Sequence, residues 1–338
     1  MSRDSQRGQG LCFYYARRNQ ALDSEHDREF KPLRSATHAD RSFQVAMNEL
    51  KRRLREKDLR VWERGPTAYS VSSLAHYGLR VLLRSHTARD QDHIQDEYHA
   101  SKRTDYWKSD ATVDDVIWGD DQTIKWLLKD GKLKKGVDRE SRDYMLNRLV
   151  ARVQQHLPNG EGTIAEFGCG SGRNLFLLRQ RFPKARLVGF ELTESTVERA
   201  SQHAEALGLN IEFHVADITR PLPWDGKADV SYSLHALEQL PRDFPKALEQ
   251  MIAHTTGALI FLEPIHELFP RSVLGLAARC RIYVADHLDG FLEYVRNLPH
   301  YEVQTAEMLP TMGSPLNPTC EVVLVPSAGR GRGQHGER

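Results

Sequence analysis

From Glu166 to Asn174 the chain reads Glu-Phe-Gly-Cys-Gly-Ser-Gly-Arg-Asn, with glycines at 168, 170 and 172. Such a run lets the backbone turn sharply and lets a ligand come close where a Cβ would otherwise stand. A β-type segment precedes it and a helical one follows, so a bound ligand would meet free N–H groups at the positive end of a helix dipole. Glu191 ends the next β-type segment, where a carboxylate can accept both hydroxyls of a ribose. A glycine turn without a ligand is the plain alternative, and the matching strand, helix and acid outweigh it. Further along, His235 titrates near neutral pH and could act as a general base, or equally as a cap or packing residue. Glu263 and His266 follow a later strand at the sheet edge where ligands bind in parallel α/β folds, and either could face a substrate. Together with His287 they suggest a metal triad, but their irregular spacing favours ordinary side chains, and no metal is expected. Glu238 reads as structural, and Cys169 as a small residue that fits a glycine loop rather than a nucleophile.

These residues need elements to position them. From residue 163 onward short β-type runs alternate with helical ones. Strands are expected at 163–167, 186–191, 211–215, 228–232 and 258–262, with helices at 173–182, 194–207 and 244–254. That alternation predicts a parallel sheet covered by helices on both faces. Two last strands, 301–309 and 320–325, are joined by a Pro/Gly-rich loop and predict an antiparallel pair closing the sheet. Before residue 163 the texture is helical. Phe43, Met47, Leu50 and Leu54 mark one helix face, whose basic run at 51–55 reads as solvated. Further helices are predicted at 72–83, at 121–129 with Gly131 as its stop, and from 138 to 157. The expected organisation is a polar, partly disordered arm at 1–42, a helical cap at 43–137, a ligand-binding domain at 138–325 and a disordered tail at 326–338.

Composition narrows the function. Lys+Arg number 47 and Asp+Glu 46, a net charge of +1, which argues against a nucleic-acid binder. No run approaches about 18 apolar residues, so no membrane span is expected. The N-terminal stretch lacks an apolar core of signal-peptide length, and the four cysteines form no CxxC pair. A reduced, cytoplasmic protein is therefore expected.

The ExGxGxG spacing differs from the dinucleotide GxGxxG, and here residues 138–325 resemble the class I S-adenosylmethionine-dependent methyltransferases. The resemblance implies an α/β, Rossmann-like, mostly parallel sheet of seven strands with flanking helices and an α-helical N-terminal cap. It implies S-adenosyl-L-methionine as cofactor, held by Glu166, Gly168, Cys169, Gly170, Ser171, Gly172 and Asn174 in the loop. Glu191 with Leu192 would bind the ribose, and Asp217 with Ile218 the adenine. Ser233 and Leu234 open the segment that passes under the methionine part and faces the acceptor, with His235 first at the reacting end. Tyr98, Tyr106, Trp107, Trp118 and Trp126 form an aromatic cluster before the core. It is either ordinary packing or a lid over the cofactor, and Tyr106 and Trp107 are its candidates for a cation–π contact with the sulfonium.

The expected function is methyl transfer to a small molecule, of the kind found in secondary metabolism. Two rivals stand beside it. An amine attacking Cγ of the methionine part would transfer an aminocarboxypropyl group, or close an azetidine-2-carboxylate ring, and release methylthioadenosine. A non-catalytic protein would bind the cofactor and leave it intact. A homodimer through the N-terminal helices is left open.

Overall fold

A computed structural model describes residues 65–83, 124–240 and 242–327. The arm at 1–42, the helix expected around Phe43–Leu54, the tail beyond Ser327, and Tyr98, Tyr106, Trp107 and Trp118 lie outside the described residues.

Seven strands build one sheet: β3 (Thr163–Phe167), β4 (Arg186–Glu191), β5 (Glu212–Val215), β6 (Ala228–Leu234), β7 (Thr255–Glu263), β8 (Tyr301–Met308) and β9 (Cys320–Pro326). Their order is β5-β4-β3-β6-β7-β9-β8. β3 to β7 run parallel, while β9 is antiparallel to both neighbours. The central strands are buried on both faces, which is why they read as near-continuous apolar runs. The chain leaves β3 toward β4 and β5 on one side and later fills the other side from β6. The C-terminal ends of β3 and β6 therefore flank a crevice of the kind that holds ligands in such sheets.

Helices α2 (Asp138–His156), α3 (Arg173–Arg181) and α4 (Glu194–Ala206) cover one face. The other is covered by α5 (Phe244–Ala253), α6 (Val273–Val284) and α7 (Phe291–Arg296). α2 buries Leu146, Leu149 and Val153 at helical spacing, each contributing on the order of 1.5–3 kcal/mol. It is fixed at the sheet by Arg148 and Arg152, which both reach the Glu321 carboxylate at 2.7 Å. Burial alone would raise that carboxyl, but the two guanidiniums outweigh it and hold it below its ordinary range. The strands and helices expected between 138 and 326 are present. α6 and α7 had no sequence expectation, because α6 is apolar nearly all round and shows weak helical contrast. Its start is marked by Ser272, whose hydroxyl accepts from Gly275 N at 3.1 Å.

One expected element is wrong. Residues 124–129 are not helical but form strand β1 (Ile124–Lys129), paired antiparallel with β2 (Lys132–Val137). Asp130 and Gly131 sit at φ 51° and 71° and make the tight turn between them. Asp-Gly between two short runs is a hairpin signal, and it overrides the acids and glycine that imitate helix caps. The hairpin docks through Leu128, whose N–H and C=O pair with Met312 at 3.0 and 2.8 Å in the loop between β8 and β9. Helix α1 (Pro66–Leu82) packs on α6 and, through Tyr69, on Trp126 of the hairpin at 6.0 Å between ring centroids. Trp126 thus packs between the hairpin and α1. No described helix is long and apolar enough to cross a membrane.

Candidate active site

The glycine loop leaves β3 and is tied at once to β4, since the N–H groups of Gly168 and Cys169 both donate to Phe190 O, at 2.8 and 2.9 Å. Two of its glycines have different reasons to be glycine. At Gly172 (φ 75°) a Cβ would lie 2.6 Å from the Phe213 ring, so packing excludes a side chain. At Gly170 (φ 51°) a Cβ would meet nothing within 4 Å. That open space is the place where a ligand can approach the backbone. Glu191 borders it. Its carboxylate accepts from Gly170 N and from Thr193 N, each at 3.0 Å. A carboxylate offers about four lone-pair positions, so about two remain for the hydroxyls of a ribose. Leu192 and Ser171 are half-buried beside it, and the buried Cys169 thiol is pushed well above its ordinary range, which leaves it inert.

Glu166 points into the fold. Asn174 Nδ2 donates to one of its oxygens at 2.6 Å and the Tyr232 hydroxyl to the other at 2.9 Å. Burial pushes its carboxyl up to about 8 despite these bonds. Glu166 and Asn174 therefore brace the loop between β3, α3 and β6, as a neutral acid at neutral pH. Asp217 likewise shapes its own turn. One oxygen accepts from Thr219 N at 2.9 Å and Thr219 Oγ1 at 2.6 Å, and the other lies 3.1 Å from Arg220 Nε. Ile218 next to it is 7% exposed and offers an apolar wall. Ser233 is buried, and its hydroxyl has no hydrogen-bond partner among the described residues. Leu234 packs against the core under α2 and α3.

A polar cluster lies at the C-terminal ends of β6 and β7. His235 sits at φ 54° with Nε2 2.8 Å from Thr319 Oγ1 and Nδ1 3.3 Å from Glu238 Oε2. Asn317 Nδ2 donates to the same Glu238 oxygen at 3.0 Å, and His287 Nδ1 lies 3.6 Å from it. Burial works against charge on both partners, but their mutual attraction wins. His235 is raised from its ordinary value, and Glu238 is held down at about 2. Glu263, fully buried, is pushed up to about 7 by that burial, against the pull of His235. Its oxygens accept from the N–H groups of Ala236, Leu237 and Glu238 at 3.0–3.2 Å, so it caps the turn that carries the cluster.

The structure thus brings His235 and Glu263 together and keeps His266 apart. His266 pairs with Glu267 at 2.8 Å and with Asp289 at 3.4 Å. Glu263, His266 and His287 each face a different partner, so they form no metal-ligand set. Sequence reasoning missed Tyr232, Asn317 and Thr319, and weighed His287 only as a metal ligand. Asn317 and Thr319 lie in the Pro/Gly-rich loop, where no local signal separates a site residue from a connection.

A family model described as "Methyltransferase domain" matches residues 164–256, the stretch that holds the loop, Glu191, Asp217 and His235. Residues 164–256 are thus a methyltransferase domain of the class I, S-adenosylmethionine-dependent type. Curated methyltransferases are similar over about a third of the chain. Trans-aconitate 2-methyltransferase of Streptomyces coelicolor is 33% identical over 116 residues, 33% of this chain and 38% of that protein. Protein-lysine N-methyltransferase EFM4 of Saccharomyces cerevisiae is 32% identical over 95 residues, 28% of this chain and 42% of that protein. The chain therefore spans about two fifths of the length of these relatives. Among solved structures, magnesium protoporphyrin IX methyltransferase from Synechocystis aligns with TM-score 0.49 and 16% identity, over 70% of this chain and all of that one. The fit to the methyltransferase cofactor rests on this chain's own features: the open space at Gly170, the unused lone pairs of Glu191 and the apolar wall at Ile218.

Proposed function

We propose that this chain is a methyltransferase that passes the methyl group of S-adenosylmethionine to a small-molecule acceptor at the C-terminal edge of the sheet. The observation that carries the reading is the unfilled space over Gly170 beside the Glu191 carboxylate. When bound, the cofactor supplies a methyl carbon already activated by its positive sulfur. What remains for the chain is to bind, orient and exclude water. Glu191 and the Gly170 backbone would hold the ribose side, and the Asp217 turn with Ile218 would bound the adenine. Ser233 leaves a buried hydroxyl free for a ligand near the reacting end.

His235 is fixed by Thr319 and by Glu238, whose attraction outweighs burial and raises its pKa from the ordinary value. With both ring nitrogens engaged, it braces this edge of the site and is not a free base. Glu263, with its oxygens spent on three backbone amides, does not take up a proton from substrate. The acceptor is accordingly a nucleophile that needs little deprotonation by the protein. A small acceptor is the reading adopted, and the balanced charge of the chain speaks against nucleic acid. The purified chain, incubated with S-adenosylmethionine and pooled small-molecule acceptors, should yield S-adenosylhomocysteine. Methylthioadenosine formed without any acceptor would overturn this reading.

A further inference from the structure

The loop from Leu309 to Thr319, between β8 and β9, is not an ordinary connection. Connecting loops usually run over the surface, but here only Pro310 and Ser314 are exposed. Pro310, Pro315 and Pro318 each fix a backbone φ angle, so the loop is stiff as well as packed. Leu309 N donates to Thr319 O at 3.0 Å and closes its base. One flank is seamed to the β1–β2 hairpin. Leu128 N donates to Met312 O at 3.0 Å, Met312 N to Leu128 O at 2.8 Å, and Gly131 N to Pro310 O at 3.0 Å. Leu128, Leu309 and Met312 share one buried apolar cluster.

The other flank ends on the polar cluster. Asn317 Nδ2 donates to Glu238 Oε2 at 3.0 Å, the same oxygen that lies 3.3 Å from His235 Nδ1. Thr319 Oγ1 lies 2.8 Å from His235 Nε2. Both ring contacts of His235 are thus made or steadied by this loop. The ring needs such holding, because His235 is a non-glycine residue at φ 54°, a conformation that persists only where its surroundings fix it. The backbone of the same turn is held separately. His235 N donates to Leu262 O, and the N–H groups of Ala236, Leu237 and Glu238 donate to Glu263. Ala236 stands where a Cβ at Gly168 would be, so the turn borders the cofactor loop. A shift of the 309–319 loop therefore reaches the side chains of His235 and Glu238 and spares the backbone that faces Gly168.

We propose that the β1–β2 hairpin positions His235. Its seam on Met312 seats the stiff loop, and the loop holds the His235 ring through Thr319 and the Glu238 carboxylate through Asn317. Leu128 and Met312 are then positioning residues that act through Asn317 and Thr319. This deepens the methyltransferase reading and rests on it for the place of His235 at the edge of the site. The link is a run of packed and hydrogen-bonded groups between elements far apart in sequence, which is a physical form that coupling takes.

Glu238 raises the His235 pKa against the lowering effect of burial. Glu263 adds to that pull, the Arg281 charge opposes it, and His287 Nδ1 lies 3.6 Å from the same Glu238 oxygen. A loop that lets go of Glu238 leaves burial to dominate, so the His235 pKa should fall. The N–H and C=O of Leu128 both face Met312 and not β2, so Leu128→Pro cuts the seam without removing a rung of the hairpin ladder.

The test is a histidine NMR titration of the full chain, with the His235 signal assigned by its loss in His235→Asn. Leu128→Pro should weaken proton binding at His235 roughly threefold or more, a fall of about 0.5 in pKa. Asn317→Ala should shift it in the same direction. In a chain that carries Asn317→Ala and Thr319→Val, Leu128→Pro should add nothing, because the groups it acts through are gone. S-adenosylhomocysteine affinity of the Leu128 variants, read by calorimetry, should stay within about twofold of wild type. Leu128→Ala keeps the seam bonds, loosens their packing and should give a smaller shift. It carries the test if Leu128→Pro does not fold. A wild-type His235 titration in the Leu128 variants, the same shift with and without Asn317 and Thr319, or an equal loss of S-adenosylhomocysteine affinity would overturn the inference. Failure of S-adenosylhomocysteine to bind the wild type would sink the cofactor reading instead, while the titration would still report on the hairpin.

Discussion

Replacing Glu191 by alanine tests the cofactor assignment most directly, because the structure gives this side chain two separable jobs. Its carboxylate holds Thr193 N and Gly170 N at 3.0 Å each. Thr193 is 6% exposed, so its N–H would be left without a partner, at a cost of about 1–3 kcal/mol. Gly170 faces open space, where water can take over the lost bond. For a domain of this size each 1 kcal/mol lowers Tm by about 2–4 °C, so a drop of about 2–12 °C is expected. Ligand affinity should fall independently. Losing hydrogen bonds to a charged acceptor costs about 1.5–3 kcal/mol, which is roughly ten- to a hundredfold in Kd. Glu191→Gln sharpens the result. It keeps one carbonyl oxygen but turns an NH₂ toward one of the two backbone donors, so it should lose about as much stability and somewhat less affinity. Scanning fluorimetry reads the first effect and calorimetry with S-adenosylhomocysteine the second. A folded Glu191→Ala with lowered Tm and wild-type affinity would make Glu191 a loop brace only and refute the ribose assignment.

The two glycines should separate in the same way. Gly170→Ala pays only for its left-handed backbone, about 1–2 kcal/mol, and should mainly weaken cofactor binding, whereas Gly172→Ala adds the Phe213 clash and should mainly lower Tm. Glu166, raised from 4.5 to about 8, binds its proton more tightly in the folded than in the unfolded state. It therefore makes stability fall as pH rises from about 4.5 to 8, by at most about 5 kcal/mol. Glu166→Gln, which mimics the protonated acid, should flatten that part of a urea-denaturation pH profile, and an unchanged slope would count against the neutral brace. Glu238→Gln removes the attraction that outweighs burial at His235, so the His235 pKa should move from above to below its ordinary 6.5 in a histidine NMR titration. A pKa that stays raised would mean that another group holds the proton.

The cofactor end was legible because its parts are contiguous or follow strands in a fixed rhythm. The loop from Glu166 to Asn174, Glu191 and Asp217 each stand at the C-terminal end of a strand that the apolar runs already predict. What the strand rhythm could not show is which way a side chain turns. Glu166 and Glu191 both end strands on the crevice, yet Tyr232 and Asn174 draw one inward while backbone amides hold the other at the opening. The acceptor end was illegible for a different reason. His235, His287 and Thr319 come from segments that meet only after the sheet closes, and the loop holding Asn317 and Thr319 has no periodicity to read. The β1–β2 hairpin was misread because Asp121, Asp130 and Gly131 supply both cap-like and turn-like residues. Six residues of strand carry too few apolar positions for period alone to decide between them.

His235 shows how the two ends are joined. A side chain other than glycine in the left-handed region costs on the order of 1 kcal/mol and persists only where its surroundings fix it. Here the fixing is complete: His235 N donates to Leu262 O at 3.0 Å, and the ring is held by Thr319 on one side and Glu238 on the other. Glu238 in turn depends on the turn that Glu263 caps, and Thr319 on the strand that pairs Cys320 with Glu263. The strain is thus carried by the last two parallel strands and the antiparallel β9, not by the glycine loop. Changes in the β8–β9 loop should therefore disturb His235 and its polar cluster while leaving the cofactor loop, which is anchored on Phe190 and Glu191, where it is.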